Sequence, residues 1–151
     1  MKKLVEKISK MKPIIKSKEL KFEQESLKLE SIRSQRKEVF TNLKKSEKSY
    51  ISGVELINAK KSEDIASTEV FSQSLDYAKA IWHKNLKELQ KVEDRERKQI
   101  EAVIDAQKDL KSAEMLQDKF EEDLRILQAK HEQKSLDDIS VTSHRKGRSQ
   151  I

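Results

Sequence analysis

The spacing of apolar residues over the first third of the chain is the feature that most constrains its fold. These residues recur in alternating steps of four and three, a period that places them on one stripe of an α-helix. Lysine, glutamate, arginine and serine interrupt the stripe at Lys18, Glu25, Arg36 and Ser46, yet its phase continues beyond each. A narrow stripe of this kind predicts a coiled-coil seam. Its apolar members are Leu4, Ile8, Met11, Ile15, Phe22, Leu29, Ile32, Val39, Leu43 and Tyr50.

A second stripe begins at Phe71 and includes Leu75, Ala78 and Trp82 at positions i+4, i+7 and i+11. Its phase drifts over residues 93–100, where we expect a stutter in the heptads. Together the two stripes predict two long helices that pack against each other. The later members of the second stripe are Leu89, Val92, Val103, Leu110, Phe120, Leu124 and Leu127.

The boundaries follow from breaks in these patterns. Ser62 with its two acidic neighbours, and Ser67 with Thr68 and Glu69, predict a turn and a new helix start. Pro13 predicts a break or a fresh helix start near residues 12–14. We therefore predict an all-α fold, a single antiparallel two-helix coiled-coil hairpin over residues 1–139 with a longer second helix. Its predicted parts are a first helix at about 14–60, a turn at about 61–68, a second helix at about 69–138, and a flexible basic tail at 140–151.

Composition supports this architecture and excludes an ordinary globular core. Charged residues make up 40% of the chain and apolar residues only 34%, with two glycines and one proline. Intrinsic disorder would fit the same numbers, but it would not produce the regular stripes. Residues 1–61 hold 17 basic and 8 acidic side chains, whereas residues 62–138 hold 13 and 19. The two predicted arms should therefore attract each other.

No pattern of catalytic or cofactor-binding residues is present in the sequence. The chain has no cysteine, its three histidines lie far apart, and it contains no glycine-rich phosphate-binding motif. An acidic run at residues 121–123 is typical of a solvated helix face. No apolar run approaches the roughly 18 to 20 residues needed to cross a bilayer, and the start of the chain does not resemble a secretory signal. We predict a cytoplasmic protein that is not an enzyme, binds no cofactor or metal, and does not insert into the membrane.

Three roles fit parts of these patterns. The basic first arm suggests nucleic-acid binding, but its lysines alternate with acids, and the basic cluster at 144–148 lacks interleaved aromatic residues. Residues 1–16 oppose apolar side chains to lysines, as membrane-surface helices do, but a coiled-coil seam explains the same residues. A generic coiled-coil scaffold or chaperone remains an alternative. We expect no nucleic acid among the partners.

Two segments resemble the stalk proteins of bacterial type III secretion, the FliJ/YscO (SctO) family. Near the C-terminus, HEQKSLDDISVTSHR at 131–145 is similar to a frequent closing pattern of the family, with conservative departures at Asp138 and Ser140. Phe71, Leu75 and Ala78 have the mutual spacing of residues through which the flagellar member is thought to contact the export gate, with Trp82 at the fourth position of that pattern. The residues that match the closing pattern are Gln133, Lys134, Leu136, Asp137 and Ile139.

The resemblance implies a rod that lies partly in the pore of a hexameric secretion ATPase and also contacts the cytoplasmic domain of the export gate. It implies that secretion chaperones are further partners, that the protein is a monomer when free, and that it is located at the cytoplasmic face of the inner membrane. The start of the chain lacks a distinctive flagellar pattern, which favours an injectisome member with a role in virulence. The implied gate-binding residues are Phe71, Leu75, Ala78 and Trp82. The implied pore-binding residues are Lys7, Lys10, Gln133, Lys134, Leu136 and Ile139.

The stretch FSQSLDYAKAIW at 71–82 holds three of the seven aromatic rings in the chain. Tyr77 and Ile81 lie beside the stripe that starts at Phe71, so the apolar face is wider than one seam requires. We expect this stretch to be partly packed and partly exposed, with Phe71 and Leu75 contacting a partner.

Overall fold

The computed structural model describes residues 1–59 and 65–149, and the side chains of residues 1–59 and 68–143. Two helices account for nearly all of these residues: α1 (Lys2–Ala59) and α2 (Ile65–Ser149). The predicted fold class, all-α with two long helices that pack against each other, is confirmed. None of the described helices is apolar enough over a sufficient length to cross a bilayer.

Contacts divide the chain into two compact units, and α1 and α2 each contribute to both. Unit 1 comprises Met1–Glu23 and Asp105–Ile151, and unit 2 comprises Gln24–Ile104. In unit 1 the helices are antiparallel, because Lys7 lies over the ring of Phe120 whereas the later residue Lys18 pairs with the earlier residue Asp109.

In unit 2 the helices are also antiparallel. Moving along α1 from Arg36 to Tyr50, the contacts on α2 move backwards from Glu96 to Trp82. The predicted turn at 61–68 lies partly outside the described residues, because residues 60–64 are not among them; residues 65–68 are helical.

The α1 seam takes the positions that the heptad pattern predicts. All of the apolar stripe residues from Leu4 to Tyr50 are buried or partly buried. The four polar members of the stripe, Lys18, Glu25, Arg36 and Ser46, are partly buried as well. The seam of α1 therefore continues through its polar positions, and its phase is unbroken.

The expected stutter in α2 at residues 93–100 is wrong. Inward-facing residues recur in steps of four and three without interruption, because Glu96 and Gln99 occupy seam positions that apolar residues usually fill. Leu127, which the pattern placed near the seam, is 40% exposed. The buried or partly buried stripe of α2 is Phe71, Leu75, Ala78, Trp82, Asn85, Leu89, Val92, Glu96, Gln99, Val103, Ala106, Leu110, Ala113, Gln117, Phe120 and Leu124.

The helix ends also differ from those expected. Pro13 lies inside α1, so the predicted break near residues 12–14 is not present. Seam contacts on both sides of the proline, by Met11 and Ile15, hold the helix together although Pro13 cannot donate a backbone hydrogen bond. At its other end α2 begins at Ile65 and remains helical to Ser149, beyond the 69–138 that the pattern suggested.

Three polar pairs cross the seam of unit 2. Arg36 Nη1 donates to Glu96 Oε1 at 2.9 Å, and Asn85 Nδ2 donates to Ser46 Oγ at 3.0 Å. In the third pair, the side-chain amide of Gln99 donates to a carboxylate oxygen of Glu25 at 2.6 Å and to the backbone carbonyl of Glu25 at 2.9 Å. These polar groups are fully matched in one register only, because a slide by one heptad in either direction leaves Glu96 facing a leucine, Leu29 or Leu43.

The pair between Arg36 and Glu96 makes a testable contribution to stability. Glu96 is only 9% exposed, and its Oε2 has no hydrogen-bond partner within the described residues. Arg36→Met should lower the free energy of unfolding by about 1 to 3 kcal/mol, because it leaves a buried carboxylate without its cation. The double variant Arg36→Met/Glu96→Met should recover wild-type stability or exceed it. Urea denaturation followed by circular dichroism measures both.

The matched control is Arg97→Met, since Arg97 pairs with Asp94 on the exposed surface of the same helix. Its effect should stay within about 0.5 kcal/mol. If the double variant is as unstable as Arg36→Met alone, the loss of stability does not come from leaving the Glu96 carboxylate without its cation.

Candidate partner-binding surfaces

The four residues implied as gate contacts lie on the inward stripe of α2 in unit 2, near the start of that helix. Phe71, Leu75, Ala78 and Trp82 are each partly buried. The ring of Trp82 stacks on Tyr50 of α1, with centroids 5.4 Å apart and an interplanar angle of 24°. These residues therefore contribute to packing between the helices, and only part of each side chain is accessible to a partner.

A small groove of about 170 Å³ gives access to three of the four. Gly53 allows the helices to approach closely there: a Cβ at that position would lie 3.0 Å from Leu75 Cδ1. Leu56, which is 53% exposed, forms part of the rim. The lining residues are Ser49, Gly53, Leu56, Ile57, Phe71, Ser74, Leu75 and Ala78.

Exposed apolar residues of α2 lie beside this groove. Val70 is 64% exposed, Tyr77 71% and Ile81 37%, and their i, i+7, i+11 spacing places them on one side of the helix. We call these three residues the tip flank. Sequence reasoning identified Tyr77 and Ile81 as lying beside the seam but missed Val70, which the same spacing would have found. The tip flank differs from the other exposed apolar residues of the chain in that its three side chains share one side of the helix beside the groove, so it is a candidate docking surface.

The residues implied as pore contacts belong to unit 1 and are exposed. Lys7 Nζ lies 5.4 Å from the centroid of the Phe120 ring, so this lysine also packs against α2. Gln133 follows Phe120 by thirteen residues, which corresponds to roughly 20 Å along a helix. The structure therefore does not bring Lys7 and Lys10 together with the four implied residues of α2, which are Gln133, Lys134, Leu136 and Ile139.

Residues 125–143 of α2 are all exposed. Leu136 is 62% exposed and Ile139 63%, while the side chain of Gln133 donates only to Asp137, one turn further along the same helix. The contacts of this segment within the described residues are local. It is a second surface with accessible apolar residues.

Charge in unit 1 is divided between its two helical segments. Residues 1–23 hold eight basic and three acidic side chains, whereas residues 105–124 hold three basic and seven acidic ones. Glu122 accepts hydrogen bonds from Arg125, which lowers the pKa of the Glu122 carboxyl below its ordinary value. The described residues contain no group of His, Cys, Asp and Glu side chains that could hold a metal ion. The opposite net charges of residues 1–23 and 105–124 thus support the pairing of these two segments of unit 1.

Comparison with known proteins gives one result. A family model described as the flagellar FliJ protein matches residues 7–149, while neither the curated proteins nor the solved structures contain a match. Members of this family are structural, non-enzymatic components of the flagellar and type III export apparatus, where they associate with the export ATPase and the gate on the cytoplasmic side. Because the match covers nearly the whole chain, this protein belongs to the FliJ family of export-stalk proteins.

Proposed function

We propose that the chain is the central stalk of a type III export apparatus and links the hexameric ATPase to the export gate. Family membership supports the role, and the structure supplies an accessible apolar surface in each of its two units. The observation that carries the proposal is the tip flank, because its exposed apolar side chains lie beside the very stretch that resembles the family's gate contact.

For the gate, we assign contact to the groove residues Phe71, Leu75 and Ala78, to Trp82, and to the tip flank. Side chains packed at the seam can offer a partner only their outer edges, whereas Tyr77 presents most of its ring. Binding energy at protein interfaces concentrates in aromatic anchors of this type. Binding to the gate should therefore depend on both the seam residues and the tip flank. Substitutions in the tip flank should weaken binding without destabilising the fold.

Replacing Tyr77 and Ile81 with serine should weaken binding to the cytoplasmic domain of the gate at least tenfold. The free energy of unfolding should change by less than about 1 kcal/mol, since both side chains are exposed. Calorimetry with the purified gate domain measures the first quantity, and thermal unfolding the second. By contrast, Phe71→Ala should lower stability by about 1 to 2 kcal/mol, because its ring is partly buried.

The matched control replaces Lys79 and His83 with serine, since they are exposed residues with the same spacing on the other side of the same helix. Gate affinity should remain within twofold of wild type. Equal losses in the test and control variants would exclude the tip flank as a specific contact.

For the ATPase, we propose that unit 1 enters the hexamer pore. Lys7 and Lys10 would meet acidic pore loops. The exposed segment of α2 would contact the pore through Gln133, Lys134, Leu136 and Ile139. Long-range attraction between the basic residues and an acidic pore would accelerate association at low salt. The exposed apolar pair, Leu136 and Ile139, would provide contact area once the segment is inside.

The variant Leu136→Ser/Ile139→Ser should reduce stimulation of ATP hydrolysis by the cognate ATPase several-fold. Unfolding should not change, because neither side chain packs against α1. A control at Met115, which is 62% exposed on the same helix, should keep full stimulation when changed to serine. Wild-type stimulation by the double variant would remove these residues from the proposed pore contact.

Among export systems we propose an injectisome rather than a flagellum, with a role in virulence and with secretion chaperones as further partners. The matching family model carries the flagellar description, so complementation of both kinds of deletion strain is the appropriate test. We further propose a monomer at the cytoplasmic face of the inner membrane. A generic scaffold built by parallel dimerisation is disfavoured, because in each unit the seam of one helix is already occupied by the other helix of the same chain.

A further inference from the structure

α1 begins at Lys2, and its first three turns contact α2 through three seam residues, Leu4, Ile8 and Met11. Within residues 2–12 only Met11 is buried, while Leu4 and Ile8 are partly buried and Val5 is 52% exposed. Elements with little buried apolar surface open at a small cost in free energy relative to the core of a protein.

The backbone of the same segment is weakened at both ends. Pro13 has no N–H to donate to the carbonyl of Ser9, so the helix loses a hydrogen bond where the segment joins the rest of α1. At the other end, Lys2 and Lys3 lie in the first turn, which contains no acidic residue. Positive charge there opposes the helix dipole. Residues 2–12, which we call the strap, therefore depend on α2 for their helical structure.

The α2 surface that the strap covers consists of an apolar stripe flanked by acidic residues. Gln117, Phe120 and Leu124 form a partly buried stripe on α2, and Lys7 covers the Phe120 ring. Acidic residues flank the stripe at 118 and 121–123. When uncovered, the stripe would continue into Leu127, which is already 40% exposed.

We propose that the strap is detachable and that the α2 surface beneath it binds a basic amphipathic helix of a partner in exchange. The strap shows what such a helix must contain: apolar residues in steps of four and three, and an excess of lysine, with five lysines and one glutamate over residues 2–12. The exchange goes beyond the stalk function and does not rest on it, because its evidence is the packing and charge of unit 1 alone.

Exchange lowers the apparent affinity for the partner while the strap is closed, because only the open fraction of molecules is competent to bind. The apparent affinity for the partner should therefore fall as the strap binds α2 more tightly. Pro13→Ala restores the missing hydrogen bond and should close it more firmly, while Ile8→Glu places a charge in its seam and should open it.

Hydrogen exchange in the full-length protein tests the first half of the proposal. Backbone amides of residues 6–12 should exchange at least a hundredfold faster than those of residues 85–96, and Pro13→Ala should slow them at least tenfold. Protection of residues 6–12 equal to that of residues 85–96 would overturn the idea of a detachable strap.

Binding of a fluorescein-labelled peptide with the sequence of residues 1–16 tests the second half. The full-length Ile8→Glu variant should bind it at least tenfold more tightly than wild type, and Pro13→Ala at least tenfold more weakly. Ile14→Glu adds the same charge at an exposed position just beyond the strap and should remain within twofold of wild type. The same peptide with glutamate in place of its lysines should not bind.

Equal affinity of the peptide for wild type, Ile8→Glu and Pro13→Ala would overturn the exchange, as would failure to bind any of them. Because Pro13→Ala strengthens the fold, its result does not depend on whether Ile8→Glu remains fully folded.

Discussion

The hydrogen-bonded ion pair of Arg36 and Glu96 places two charges in the seam on which unit 2 depends. With 34% apolar residues, the chain has little hydrophobic surface beyond that needed for one narrow stripe on each helix. Apolar contacts along such a stripe are nearly interchangeable, so a slide by one heptad would preserve many of them. A slide would, however, leave Glu96 facing leucine. The polar pairs thus determine which residues meet, whereas the apolar residues supply most of the attraction.

A fixed register also determines which surfaces remain for partners. In unit 2 it brings Trp82 against Tyr50 and Leu75 against Gly53, which leaves the tip flank outside the seam. In unit 1 it brings Lys7 to Phe120, so that α2 continues well beyond the segment that α1 covers. The proposed docking surfaces are therefore the apolar residues that a two-helix seam cannot use.

The sequence predicted the architecture because the stripe of α1 keeps its phase through its polar members. It failed where a single residue type was given too much weight: Glu96 and Gln99 suggested a stutter, and Pro13 suggested a helix break. In each case the partner helix overrides local preference, by pairing the polar side chains or by holding the backbone on both sides of the proline. The spacing assigned Phe71 to the seam stripe, but it could not predict how much of each stripe side chain stays exposed, because that depends on the facing helix.

Cysteine cross-linking within unit 2 tests the register most directly, since the chain has no cysteine of its own. Ser46→Cys with Asn85→Cys joins two positions whose side chains meet across the seam, with Asn85 Nδ2 3.0 Å from Ser46 Oγ, and should form an intrachain disulfide under mild oxidation faster than a pair one heptad away. Ser46→Cys with Leu75→Cys tests a slide of one heptad, because Leu75 lies against Gly53, about 10 Å further along the seam, and this pair should remain reduced. Equal cross-linking of the two pairs, or preferential cross-linking of the second, would contradict a seam whose register is fixed by its polar residues.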